Sequence, residues 1–377
     1  MQLRSLNCSY NIYLGSNNMS QIAHYAFRGI EAHIDELYLD TNSLHSLPKA
    51  IGSIINLKLL NIDGNPIVSL NPSVMAKIGH SLKYFSVSMA SFQKWPTELP
   101  LLYELYQLGL YDIPWQSLDS SAFRGLTRME SLTVELSNLT KIPNAFCALP
   151  PLKLLVMRSN YFLNESKSDV FEPCSPLAGT PHVEVIYYDN NHVDYFPNIF
   201  AMFPSVNTIC MPFNGMRFMN AEKFKDNFSV EGLYLSPNQF RQIPSGLNIF
   251  KKLNILDLHD NLIEFIEDND LIGLRNLLYF DLSYNPIQFI TNKAFQNNKK
   301  LTYVDLSYTL LTTIPAAVTM LPALNILRLE ANDIKCTCEL ASLKNWNVSF
   351  INIYGLCYLT NEPIEKFIIT YIDAGKC

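Results

Sequence analysis

Apolar residues recur along this chain in one frame. Leu253, Leu256 and Leu258 lead to Asn261, then Ile263 and Ile266. The same spacing carries Leu277, Phe280, Leu282, Asn285, Ile287 and Ile290, and near the start Ile34, Leu37, Leu39, Asn42, Leu44 and Leu47. It also fits Leu57, Leu60, Ile62, Asn65, Ile67 and Leu70. Carried through, the asparagine column falls at Asn17, Asn42, Asn65, Ala90, Ile113, Ser137, Asn160, Asn191, Asn214, Asn238, Asn261, Asn285, Thr309 and Asn332. These are fourteen repeats, spaced 23 to 25 residues apart except for the 31 between Asn160 and Asn191. The first, fourth and sixth positions of each unit predict a short strand, because side chains alternate across a strand. One unit cannot bury its apolar side alone, so the units must stack into a continuous core.

The frame is similar to that of the leucine-rich-repeat superfamily, and the resemblance covers nearly the whole chain. It implies an α/β leucine-rich-repeat solenoid, a curved horseshoe with a parallel sheet on its concave face and an irregular, short-helical convex side. The asparagines are then expected to bond backbone groups of neighbouring turns as a ladder, since an inward amide is tolerated only when hydrogen-bonded. Units with Ala90, Ile113 and Ser137 lack that amide and should have looser turns. A proline follows the last apolar position at Pro48, Pro96, Pro143, Pro197, Pro244 and Pro315, favouring extended backbone there. Ala26-Phe27, Ala122-Phe123, Ala145-Phe146 and Ala294-Phe295 resemble the stacked phenylalanine spine of 24-residue, extracellular-type repeats. The solenoid is assigned to residues 1–335, with an insertion near 164–180 that begins at Glu165 where an apolar residue belongs, and a cap to 336–377.

Four cysteines follow the last repeat: Cys336, Cys338, Cys357 and Cys377. They resemble the C-terminal flanking cap of extracellular leucine-rich-repeat proteins, including Toll-like and other receptor ectodomains. That resemblance implies Cys336 with Cys357 and Cys338 with Cys377, although four cysteines allow three connectivities. A four-cysteine zinc site is the alternative, but its usual two C-x2-4-C knuckles are missing. Glu339–Trp346 reads as a short helix with Leu340, Leu343 and Trp346 facing the last repeat. Cys147 and Cys174 form a second candidate bridge on one edge of the solenoid, stapling the insertion. Cys8 and Cys210 are assigned no partner. Such bridges persist mainly in oxidising compartments. The sequons at Asn7, Asn18, Asn138, Asn164, Asn227 and Asn347 are compatible with glycosylation but no more frequent than chance would give. The usual N-terminal cysteine cap and a signal peptide are not seen, a pattern open to a fragment, a trimmed mature product or an odd gene model, and one that keeps a non-secreted reading open.

Composition narrows the function. The 377 residues are 48% hydrophobic and 16% charged, with a net charge of -6. No basic run appears, which argues against nucleic acid as a partner. No apolar run approaches the roughly 20 residues a membrane helix needs, so no direct insertion is expected of this segment. The seven histidines show no metal-ligand spacing. His259 lies near Asp257, yet Asp257, Asp281 and Asp305 share one column of the repeat, which accounts for them without catalysis. No nucleophile elbow, P-loop or dinucleotide fingerprint occurs. The chain is therefore expected to be no enzyme and to need no cofactor or metal.

Outward strand positions predict a ligand-binding face made of Tyr187, Phe213, Tyr234, Asp257, His259, Tyr279, Asp281, Tyr284, Tyr303, Asp305, Tyr308 and Arg328. Tyr279 should stand beside Tyr303, and Tyr284 beside Tyr308. Aromatic anchors ringed by polar groups suit a protein interface. The earlier strands, with Asp35, Glu36, Tyr38, Asp40 and Asp63, are more acidic and favour a basic partner. Together these features point to a recognition module, extracellular, secreted or on the outer face of the plasma membrane, for a protein or peptide, with glycan or lipid as other ligand classes. An intracellular scaffold, a matrix protein, and the binding part of a receptor whose catalytic domain lies elsewhere remain open.

Overall fold

A computed structural model describes residues 9–160, 171–176, 179–219, 224, 229–344, 346 and 348–377. Cys8, Glu165 and four of the sequons (Asn7, Asn164, Asn227 and Asn347) lie outside those residues, as does much of the insertion. The chain forms two compact units: Met1–Asn191 with Ile199–Pro204, and His192–Asn198 with Ser205–Cys377.

In the first unit one strand per repeat builds a parallel sheet: β1 Tyr10–Tyr13, β2 Ile34–Tyr38, β3 Leu59–Ile62, β4 Tyr84–Ser88, β5 Gln107–Tyr111, β6 Ser131–Glu135, β7 Leu152–Arg158 and β8 Val183–Tyr187. Equivalent positions pair, so Leu37, Leu60, Phe85, Leu108, Leu132, Leu155 and Ile186 line up as one buried column. Pro48 and Pro143 adopt extended backbone before the 3-10 helices Lys49–Ser53 and Asn144–Ala148. Helix α1, Pro72–Ile78, starts at Asn71, whose Oδ1 accepts from the Ser73 and Val74 N–H groups at 3.0 and 3.3 Å. Trp95, Phe123 and Phe146 meet edge to face at 5.6 and 5.5 Å, so the aromatic spine extends to a tryptophan.

Of the turns without asparagine, those at Ile113 and Ser137 are well filled, while Ala90 is exposed. β4, β5 and β6 pair over five residues, against three in the strands of the second unit's sheet. Ile113 fills the inward place with its apolar side chain, fully buried. Ser137 is tied to the next ladder rung, its N–H donating to Asn160 Oδ1 at 3.0 Å. Apolar filling and longer strand pairing thus replace the amide. A bridge joins Cys147 to Cys174, and the described part of the insertion sends Phe171 into the core against Tyr188 and Phe203.

In the second unit the parallel sheet runs β10 Thr208–Cys210, β12 Gly232–Tyr234, β13 Ile255–Asp257, β15 Tyr279–Asp281, β17 Tyr303–Asp305, β18 Ile326–Arg328 and β19 Asn352–Tyr354. Two small pairs lie on the return segments, β9 Tyr195–Phe196 with β11 Phe218–Met219, and β14 Phe265–Ile266 with β16 Phe289–Ile290. The amide ladder is regular here. Asn238 Oδ1 accepts from Asn214 and Met216 N–H, and its Nδ2 donates to Met211 and Leu235 C=O. Asn261, Asn285 and Asn332 bridge their neighbours in the same way. Where the following repeat carries no asparagine, the waiting N–H turns back on its own unit. Ile67 N–H bonds Asn65 C=O, ahead of Ala90, and Ile287 N–H bonds Asn285 C=O, ahead of Thr309, both at 2.8 Å.

One residue before most of the asparagine positions, Met89 and Pro237 excepted, the backbone is left-handed. In the first unit this holds for Ser16, Thr41, Gly64, Asp112, Leu136, Ser159 and Asn190, with φ between 53° and 63°. In the second it holds for Phe213, Asp260, Tyr284, Tyr308 and Ala331, with φ between 48° and 56°. This kink ends the strand and swings the next side chain inward. Non-glycine residues reach it at a cost of roughly 1 kcal/mol or more, which the ladder and core must offset.

The C-terminal cap closes the second unit. Cys336 is bonded to Cys357 and Cys338 to Cys377. Leu340, Leu343 and Trp346 are buried, on a 3-10 helix, Cys338–Leu343, and the residues just after it. The cap also adds β19, paired with β18, a strand that lies outside the repeat frame.

Candidate functional site

Seven of the twelve candidate face residues lie on strands of the second unit's sheet, and Phe213, His259, Tyr284 and Tyr308 lie in the turns just after such strands; Tyr187 stands on β8 of the first unit. In-register pairing sets Tyr234, Asp257, Asp281, Asp305, Arg328 and Tyr354 in one row across successive strands. Tyr279 stacks on Tyr303 at 4.4 Å between ring centroids, in the row two residues earlier. Tyr284 stacks on Tyr308 at 4.3 Å with planes 7° apart, both in left-handed turn positions.

The aspartates are supports more than contacts. Asp281 Oδ1 accepts from Ser283 N–H and Oγ–H, and its Oδ2 accepts from the Tyr279 hydroxyl at 3.2 Å. Asp305 repeats this with Ser307 and Tyr303 and is only 4% exposed. Asp257 accepts from Ser236 Oγ–H at 2.7 Å, from His259 N–H at 3.0 Å and from the His259 ring at 2.8 Å. Each carboxylate therefore locks the start of its own turn and, in two cases, the phenol beside it. Burial pushes the Asp281 carboxyl up, and the flanking Asp305 and Asp257 add to that. Arg328 ends the row, bonded to Glu330 at 2.7 Å and lying 3.6 Å from Asp305.

What remains open to solvent is aromatic. Tyr284 and Tyr308 are 53% and 51% exposed, and Phe213 and Tyr354 are also exposed. Stacking limits the freedom of the tyrosine pair, so less order is lost when something docks on it. Sequence reasoning missed Tyr354 because β19 does not follow the leucine frame. It also missed the serines, although the Asp-x-Ser spacing at 281–283 and 305–307 was there to be read. Cys210 is buried, not displayed. Of the acidic residues on the first unit, Asp35 pairs with Lys58 at 2.9 Å. Asp63 is pushed up by burial, with Asp112 and Asp40 nearby. The exposed sequons among the described residues are Asn18 and Asn138.

Asp257, His259 and Asp281 each offer a ligand atom within 4.8 Å of the others. Asp257 Oδ1, His259 Nδ1 and both Asp281 oxygens already make turn contacts. The hydrogen bond to Asp257 raises the His259 ring above its ordinary value, against the opposing effect of burial. For Asp257, burial pushes up but the His259 and Ser236 bonds prevail and hold it low. The sign of the linkage follows. The His259 contribution to stability is full below the unfolded value of roughly 6.5 and is lost as pH rises through the higher folded value. The Asp257 contribution is present above the ordinary carboxylate range and is lost as pH falls below it. We expect the His259 ring, followed by NMR, to titrate above a free histidine, and Asp257→Asn to bring it down; an unchanged titration in that variant would remove Asp257 as the cause.

With this geometry in place, comparison with known proteins is informative. A family model, leucine-rich repeat, matches residues 229–287 and 279–334. Among solved structures, a leucine-rich-repeat protein of Leptospira interrogans is similar at 21% identity and a TM-score of 0.59, over 90% of this chain and 82% of that one. The fold is the leucine-rich repeat. An internalin of Listeria monocytogenes is similar at 18% identity and a TM-score of 0.49, over 85% of this chain and 86% of that one. The leucine-rich-repeat fold is a non-catalytic scaffold, closed here by a cysteine cap. Among the described residues no helix is long and apolar enough to cross a membrane.

Proposed function

We propose that the sheet face of the second unit binds a partner protein outside the cell, with Tyr284 and Tyr308 as its anchors. One observation carries this: a parallel-stacked, half-exposed tyrosine pair is held in strained turn positions, and a network of Asp-Ser contacts locks the turns beneath it. Interfaces concentrate binding energy in such rigid aromatic groups. The row of three aspartates gives the face a negative field, so a partner segment bearing arginine or lysine fits it best. The three disulfides support the extracellular placement. A receptor ectodomain or a secreted binder are both forms of this reading.

The test is selection of a random displayed-peptide library on the oxidised protein. Basic, aromatic-containing peptides should be enriched. Their affinity should fall about 30-fold or more in a Tyr284→Ala/Tyr308→Ala double variant and stay unchanged in Phe289→Ala, an exposed aromatic away from the sheet face. Peptides that bind the double variant as tightly as the parent would place the site elsewhere. Enrichment of acidic peptides would overturn the electrostatic half.

A further inference from the structure

On the return segments of the second unit, one turn away from the sheet face, lies a cavity of about 450 Å³ lined by Arg217, Gln239, Arg241, Gln242 and Leu262. We propose that it is a binding site for an oxyanion group, either a free phosphate or sulfate or the same group carried on a sugar.

The donors converge. Arg217 and Arg241 occupy the same place in adjacent repeats, each three residues after its ladder asparagine, Asn214 or Asn238. Two guanidinium groups from adjacent repeats thus line one cavity. Arg217 Nε–H donates to Gln239 Oε1 at 3.1 Å. That bond fixes the plane of the guanidinium and turns the Gln239 amide so that its NH2 remains a donor. The nearest carboxylate to Arg241 is Glu264, 3.9 Å away and too distant for a hydrogen bond. Among the described residues no carboxylate lies within hydrogen-bond distance of the terminal nitrogens of either arginine. The Arg217 backbone N–H is already used by the Asp194 carbonyl at 2.8 Å, so the side chains supply the donors. Planar forks of donors match the oxygens of phosphate and sulfate. Gln242 adds an amide, and the exposed Leu262 supplies an apolar wall against which a sugar ring can rest.

Glu264 lies beside Arg241, 3.9 Å away. Its charge opposes an incoming anion and sets a modest affinity. This gives the proposal a signature of sign: removing an arginine should weaken binding, while removing the neighbouring acid should strengthen it.

The experiment is isothermal titration of the oxidised full chain with inorganic phosphate and, separately, with glucose 6-phosphate, in low-salt buffer at pH 7. Saturable binding with one site is expected. Arg217→Gln and Arg241→Gln should each weaken it about 10-fold, a size in line with charge-assisted hydrogen bonds, and Glu264→Gln should tighten it several-fold. All three side chains are exposed, so unchanged thermal unfolding confirms that the variants fold. Tighter binding of the sugar phosphate than of inorganic phosphate points to an esterified ligand, and equal binding to the free anion. Absence of saturation, or binding that the arginine variants leave intact, overturns the proposal.

Discussion

Replacing Cys336 and Cys357 together with serine is expected to lower stability by roughly 3 kcal/mol and to loosen the cap before the repeats. The bridge closes a loop of 21 residues and overlaps the one between Cys338 and Cys377, which spans 39. Each restrains the unfolded chain, and each also presses an apolar lid onto the last repeat. That lid comprises Leu340, Leu343, Trp346, Ile351, Ile353, Ile364, Ile368 and Ile372, all buried. In a stacked array each unit is supported only by its neighbours, so a freed cap exposes the rung at Asn332 and weakens the units inward from it. The chain has three tryptophans, and only Trp346 is in the cap; Trp95 and Trp115 belong to the first unit. Urea unfolding with and without reductant, followed by fluorescence in a Trp95→Phe/Trp115→Phe background, should therefore show an earlier cap transition on reduction. Coincident midpoints in both conditions would mean that the bridges contribute little.

The second large effect is expected inside the ladder. Asn285→Ala should cost roughly 3 kcal/mol. The side chain is 1% exposed; it accepts from Ile263 N–H at 3.0 Å and donates to the Leu258 and Leu282 carbonyls at 2.9 and 3.0 Å. After truncation the Ile263 N–H can turn to its own Asn261 carbonyl, as Ile67 and Ile287 do in their repeats. The Leu258 carbonyl keeps the Asn261 amide at 3.1 Å, but the Leu282 carbonyl has no such substitute, and the lasting loss is there. Asn285→Thr should cost distinctly less, because Thr309 shows how a hydroxyl keeps one of those bonds, donating to Leu306 C=O at 3.1 Å. Chemical denaturation supplies the free energies, and amide exchange at Ile263 reports the local bond. A loss below about 1 kcal/mol for alanine would show that the repeats relax around the vacancy.

The leucine frame made the stacked strands legible because burial enforces it at each repeat. Leu256, Phe280 and Val304 align in the sheet just as their spacing requires. The cap cysteines were legible only by resemblance, since spacing leaves their pairing open. The filling of the turns at Ile113 and Ser137 was not legible, because an absent amide says nothing about what replaces it. Strand β19 was hidden for a related reason: it borrows its partner from β18 rather than announcing itself by a leucine period. For the candidate face, the tyrosine registers could be read from spacing alone. Which side chains stay open could not, because the exposure of Tyr284 and the burial of Asp305 depend on whether a residue lies on a strand or on the kink beyond it.

The left-handed residue at the end of most strands has a consequence for how such a surface changes over generations. Its backbone is dictated by the fold, yet its side chain points away from the core and is answerable to almost nothing inside it. Serine, threonine, glycine, aspartate, leucine, asparagine, phenylalanine, tyrosine and alanine all occupy that place in this one chain. The column works like a row of interchangeable type set in a fixed frame: letters can be swapped one at a time, and a new partner can be addressed without recasting the frame.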